Sequence, residues 1–102
     1  MDLVEVEFSR EVAKNLDVNS AIVLKNIELF VIQNTKTNNN FFDGRFWTDV
    51  SAKELSEVCN WLSESQIRNS IKKLLNKRYL SEGNYSDFPL IRKKWYSINE
   101  IN

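Results

Sequence analysis

The chain of 102 residues has no histidine, one cysteine, one proline and two glycines, and each scarcity removes a class of function. Without histidine the commonest general base is missing, and with it the usual serine and cysteine triads. A lone cysteine, Cys59, closes no internal disulfide, and without histidine or a second cysteine there is no zinc site of the usual kind. Its place on the apolar side of an expected helix makes it a small core residue rather than a reactive thiol. Two glycines leave no G-x-G-x-x-G or Walker-type phosphate loop. The 14 acidic residues contain no recognisable acid–base pair, so neither an enzyme nor a cofactor is expected. Long apolar runs are also missing: none approaches the roughly 18 residues of a membrane span. The amino terminus, MDLVEVEFSREVAK, has acids where a signal peptide has lysines. These absences point to a soluble cytoplasmic protein with no membrane partner.

What is present suits one small globular domain over residues 1–102. A hydrophobic fraction of 42% with 12% aromatics excludes a disordered chain, and the length supports one core rather than two. Net charge is zero, but it is unevenly spread: residues 1–50 carry −3 and residues 51–102 carry +3. From Arg68 to Lys94 there are eight bases against Glu82 and Asp87, a local charge of +6. Such a stretch is either a solvated helix face or a surface for phosphates, which attract bases through counterion release.

The patch TKTNNN, Thr35 to Asn40, reads as a loop dividing the chain. Before it, Asp17 or Asn19 caps a helix running to about Asn34. Val23, Ile27, Phe30 and Val31 form its core stripe. Ala21, Ile22, Leu29 and Ile32 lie on the opposite side, too apolar for an exposed surface. Their cover is either the first 16 residues, with LVEVEF as a strand and FSREVAKNL as a short helix, or a second subunit. In the second case Ile22, Leu29 and Ile32 are homodimer interface residues.

After the loop, Phe46-Trp47-Thr48 reads as a short strand. Ser51 with Glu54 has the form of a capping box and starts a helix whose inner face is Leu55, Val58 and Cys59. Asn60 offers a turn, and Ser63 with Gln66 repeats the capping signal about twelve residues on, the spacing of a helix, a tight turn and a helix. On the second helix Ile67, Ile71, Leu74 and Leu75 make the apolar stripe. Ser65, Asn69, Lys72, Lys73 and Asn76 lie opposite, flanked by Gln66 and Arg68. Amides, hydroxyls and bases are the side chains that bond base edges and phosphates in a major groove. Tyr79 to Glu82 then reads as a strand, Gly83 to Leu90 as a turn and Ile91 to Ile98 as the return strand. A hairpin directly after a helix-turn-helix is the wing of a winged helix, and the early strand joins it in a three-stranded sheet. Trp47, Trp95 and Tyr96 read as core residues rather than as stacking platforms for single strands.

The segment FFDGRFWTDVSAKELSEVCNWLSESQIRNSIKKLLNKRYLSEGNY, followed by RKKWYSI, resembles the amino-terminal winged-helix domain of phage replisome organisers and related primosomal replication initiators of Gram-positive bacteria and their phages. The resemblance is carried by Gly44 to Trp47, by LSESQIR from Leu62 to Arg68, by Lys72 to Leu74, and by Trp95-Tyr96 at the wing's end. SAIVLKNI with the Asn-rich loop, Ser20 to Asn40, adds to it. It implies a domain that binds DNA at a replication origin or oligomerises, usually followed by a further carboxy-terminal domain. With the sequence ending at Asn102, it fits an isolated domain, or a small phage or plasmid protein using the fold for transcriptional regulation or protein contacts.

The expectation is therefore an α+β winged helix-turn-helix, three or four helices with a small antiparallel sheet, that binds double-stranded DNA. The helix over 63–77 enters the major groove, with Gln66 and Asn69 as base readers and Ser65 beside them. Arg68, Lys72, Lys73 and Lys77 neutralise phosphates, as do Arg92, Lys93 and Lys94 in the wing. The competing expectation is a winged-helix module that docks on itself or on a replication or transcription protein and binds DNA weakly or not at all.

Overall fold

The computed structural model describes residues 9–85 and 94–99. The strand expected within LVEVEF lies outside that range. The short helix after it is present as α1, Arg10–Asn15, whose N-cap Ser9 accepts a hydrogen bond from the Val12 amide. Of the two cap candidates for the long helix, Asp17 is used: its Oδ1 accepts the Ser20 amide at 2.7 Å and opens α2, Val18–Thr37. The helix ends at Asn38, which adopts φ 55°, a left-handed conformation that asparagine tolerates.

Val23 and Ile27 are fully buried on α2, and Phe30 and Val31 pack partly against the same core. The expected opposite face is corrected near the amino end. Ala21 and Ile22 are buried, Ile22 at 8% exposure within the core, which leaves little of its side chain to meet a partner. Both α1 and α4 pack against α2, and its buried side chains share one core cluster with theirs. Further along, Leu29 and Ile32 remain 51% and 40% exposed.

The strand expected over Phe46 to Thr48 is instead split. Phe41–Phe42 (β1) and Arg45–Phe46 (β2) form a tight antiparallel hairpin. Asp43 and Gly44 turn it at φ 51° and 80°, and a type I′ turn requires positive φ at both central residues. Thr48 then makes a single antiparallel bridge to Tyr96.

Helix α3, Ala52–Val58, opens with the expected capping box between Ser51 and Glu54. Its inner face is Leu55, continued by Cys59 and Leu62, all buried. Val58, expected among them, is 51% exposed. Leu55 and Cys59 are four residues apart and share a side; Val58 falls off that side, and the helix ends there. The second capping box, between Ser63 and Gln66, opens α4, Glu64–Asn76. Ile67, Ile71 and Leu74 bury its stripe, with Leu75 partly buried beside them.

Leu80–Gly83 (β3) pairs antiparallel with Trp95–Ile98 (β4). Tyr96 lies opposite Glu82 on one edge and bridges Thr48 on the other, so the three segments stand side by side. Trp47, Trp95 and Tyr96 are buried, as core residues are. One cluster of buried side chains joins α1, α2, α3, α4 and both strands of the β3–β4 ladder. The fold is α+β, four helices with small antiparallel ladders, in an arrangement compatible with a winged helix.

Candidate nucleic-acid interface

The local rules that make α4 a helix also decide which of its side chains face outward. The capping box fixes its first turn, and burial of Ile67, Ile71 and Leu74 fixes its rotation. Ser65, Gln66, Arg68, Asn69, Lys72, Lys73 and the C-cap Lys77 are consequently all exposed.

They do not form one uniform face. On the flank nearest α2, Lys73 Nζ meets Asp17 Oδ2 at 2.6 Å, joining α4 to the α2 N-cap. Burial raises the Asp17 carboxyl, but hydrogen bonds from Lys73 and the Ser20 amide outweigh it and hold the group below its ordinary value. Gln66 is also engaged: its Oε1 accepts the Ser63 amide at 2.9 Å. Both residues are expected DNA contacts, and both also have structural partners within the domain.

The other flank opens onto a groove of about 570 Å³ between α4, the segment leading into α3 and the root of the β3–β4 ladder. Arg68, Asn69 and Lys72 line it from α4, and Lys94, just before β4, lines it from across. Val50, Ala52, Ile71, Leu75 and Tyr96 supply apolar lining. Burial, and then the nearby Glu82 carboxylate, raise the Tyr96 phenol above its usual range. Asp49 and Glu82 also border the groove, so its charge is mixed rather than purely basic. Arg68 pairs with Glu64 at 3.0 Å and Lys94 stands 4.0 Å from Glu82. Arg92 and Lys93, expected in the wing, lie outside the described residues.

Sequence reasoning found the bases but missed the floor and the acids that frame them. Asp49, Glu82 and Tyr96 are brought together by the Thr48 bridge and the β3–β4 register, and local periodicity does not specify either.

The β1–β2 hairpin, signalled in the sequence only by its Asp43-Gly44 turn, holds the ladder from the side. Phe42 stacks on Tyr85 with ring centroids 4.7 Å apart and meets Trp95 edge-on at 5.8 Å. Tyr85 Oη donates to Asp43 Oδ2 at 2.5 Å, and that bond raises the Tyr85 pKa. Arg45 donates to Asn99 at 2.9 Å and to Ser81 at 3.3 Å, with its guanidinium 5.9 Å above Trp47.

Among the described residues no group of three or more His, Cys, Asp or Glu stands ready to hold a metal ion, and no helix is long and apolar enough to cross a membrane. Comparison with protein-family models and with curated proteins found no match. A solved structure, the N-terminal domain of a DNA binding protein, is similar with a TM-score of 0.68. The alignment covers 91% of this chain and 67% of that one, at 18% sequence identity. At that identity the likeness is one of fold, and it extends over nearly the whole chain.

Proposed function

We propose that the chain is a winged-helix protein that binds double-stranded DNA without performing chemistry on it, acting in phage or plasmid replication initiation or its regulation. The observation that carries this reading is the convergence of Arg68, Asn69 and Lys72 on α4 with Lys94 at the ladder root, along one groove. A helix-turn-helix docks its second helix in the major groove and leaves the flanking elements on the backbone, where cations are useful. Ser65 and Asn69 then face base edges, and Lys72 and Lys94 face phosphates from the two walls of the groove. Lys77, the C-cap of α4, adds a phosphate contact, and Arg92 and Lys93 add further ones by their charge. The fold shared with a domain of a DNA-binding protein supports the reading, and the replication role rests on the sequence resemblance alone. Cytoplasmic action follows from the same reading.

The test is residue-level mapping by amide chemical shifts as a short random duplex is added. Shifts along residues 64–77 and around residues 80–85 and 94 are expected. Shifts confined to the outer side of α2 contradict it.

A second reading rests on Leu29 and Ile32, one helical turn apart and both exposed. It makes the domain a module for self-association or for a replication or transcription partner. If these residues form a homodimer face, Ile32→Asp converts a dimer to a monomer in sedimentation equilibrium; a wild-type chain that is monomeric throughout removes the dimer.

A further inference from the structure

We infer that Arg68 reads a guanine rather than a phosphate, with Glu64 as its positioning residue and Asn69 as its neighbour in base recognition. The inference rests on the DNA-binding reading above and adds the partner's chemistry: a duplex carrying a guanine close to an adenine at the centre of the site.

Bidentate recognition of adenine needs both the oxygen and the nitrogen of a carboxamide. Gln66 Oε1 already accepts the Ser63 amide at 2.9 Å, as half of the capping box that starts α4. Using that oxygen on a base means opening the box. Gln66, by side-chain type the expected adenine reader of the first turn, is therefore engaged in holding the helix start.

Arg68 has the opposite character. Its Nη2 donates to Glu64 Oε1 at 3.0 Å, one turn back along the same side of the helix. That single bond, on an exposed face, favours a guanidinium turned back along α4 and leaves Nη1 and the second Nη2 hydrogen to donate. Two parallel donors are what the O6 and N7 acceptors of guanine require in the major groove. A cation that only neutralises a phosphate needs no such orientation, and Lys72 and Lys94 around the same groove supply that charge. Arg68 also belongs to the first half of α4, and the amino-terminal residues of a docked second helix are the ones that meet base edges. Asn69 lines the same groove with its carboxamide, and a bidentate asparagine selects adenine.

The experiment begins with selection of preferred duplexes from a randomised pool by the full chain. Fluorescence anisotropy at one salt concentration then compares the preferred duplex with one in which the guanine is replaced by 7-deazaguanine, for wild type, Arg68→Lys and Glu64→Gln. Arg68→Lys keeps the charge, so its loss is expected in the ratio of affinities for the guanine and 7-deazaguanine duplexes, which falls by about tenfold or more, rather than in binding to every duplex alike. Glu64→Gln is expected to lose part of that ratio even though removing a carboxylate favours binding to any duplex, a change that helix stabilisation alone does not produce. Thermal melts of both variants, at exposed positions, check that the fold is kept. Wild-type binding without sequence preference, or an intact guanine preference in Arg68→Lys, overturns the inference and leaves DNA binding standing. Absence of any duplex binding by wild type overturns both.

Discussion

Lys73 Nζ lies 2.6 Å from Asp17 Oδ2, so a base in the last turn of α4 is bound to the carboxylate that caps α2. The pair links the candidate DNA-facing helix to the longest helix of the domain. Because Asp17 is held below its ordinary value of 3.8, its contribution to stability is fully present above about pH 4 and is lost as pH falls through the depressed value. Lys73→Ala should flatten this acid limb and cost about 1 kcal/mol or less, since the pair is partly exposed. Thermal melts between about pH 3 and pH 7 read both effects. An unchanged acid limb in the variant removes the linkage.

The capping box of α4 yields a second expectation. Ser63→Ala should destabilise the domain by about 0.5–2 kcal/mol in urea denaturation, because the Gln66 amide loses its acceptor at the helix start. Gln66→Ala removes the reciprocal bond to the Ser63 amide. The double variant should cost less than the sum of the two, as residues sharing one motif are not additive. Full additivity would mean that the two bonds act independently.

Ile67 is fully buried between the apolar stripe of α4 and the rest of the core. Ile67→Ala should cost about 2–5 kcal/mol, the transfer term plus the cavity it leaves. Urea midpoints measure it. A cost below about 1 kcal/mol would indicate that α4 is not seated on this face.

Gly44 turns the β1–β2 hairpin at φ 80°, and an added Cβ there meets nothing within 4 Å. Gly44→Ala should therefore be destabilising by about 1–2 kcal/mol from backbone strain alone, with no steric clash to relieve. Gly44→Asn should recover part of that loss, because asparagine tolerates the left-handed region. Denaturation of the two variants side by side separates strain from packing.

Much of this architecture is legible in local sequence because its signals are local. Ser51 with Glu54 and Ser63 with Gln66 announce two helix starts through bonds spanning three residues, and both boxes are formed. The stripe Ile67, Ile71, Leu74 and Leu75 likewise needs only the helical period. The misread residues depend on distant neighbours. Ile22 lies off the α2 stripe, yet it is buried in a core where α1 and α4 both pack against α2; Val58 follows Leu55 by three residues but falls off the side shared with Cys59, and the helix ends there. The β1–β2 hairpin was hidden because two-residue strands have too few side chains for an alternating pattern, although Asp43-Gly44 is a turn pair. For the candidate site, composition marked Arg68, Lys72 and Lys73 alike. Only tertiary contacts distinguish them, pairing Lys73 with Asp17 and turning Arg68 and Lys72 toward the groove shared with Lys94.

The most direct test of the central claim is the salt dependence of duplex binding, measured by anisotropy between about 50 and 200 mM salt for wild type and Lys72→Ala. The account predicts that wild type binds random duplex, with affinity falling steeply as salt rises, and that Lys72→Ala weakens binding to every sequence and lowers the slope by about one. Binding that is absent at low salt, or a slope identical in wild type and Lys72→Ala, contradicts the assignment of α4 and the groove beside it to DNA.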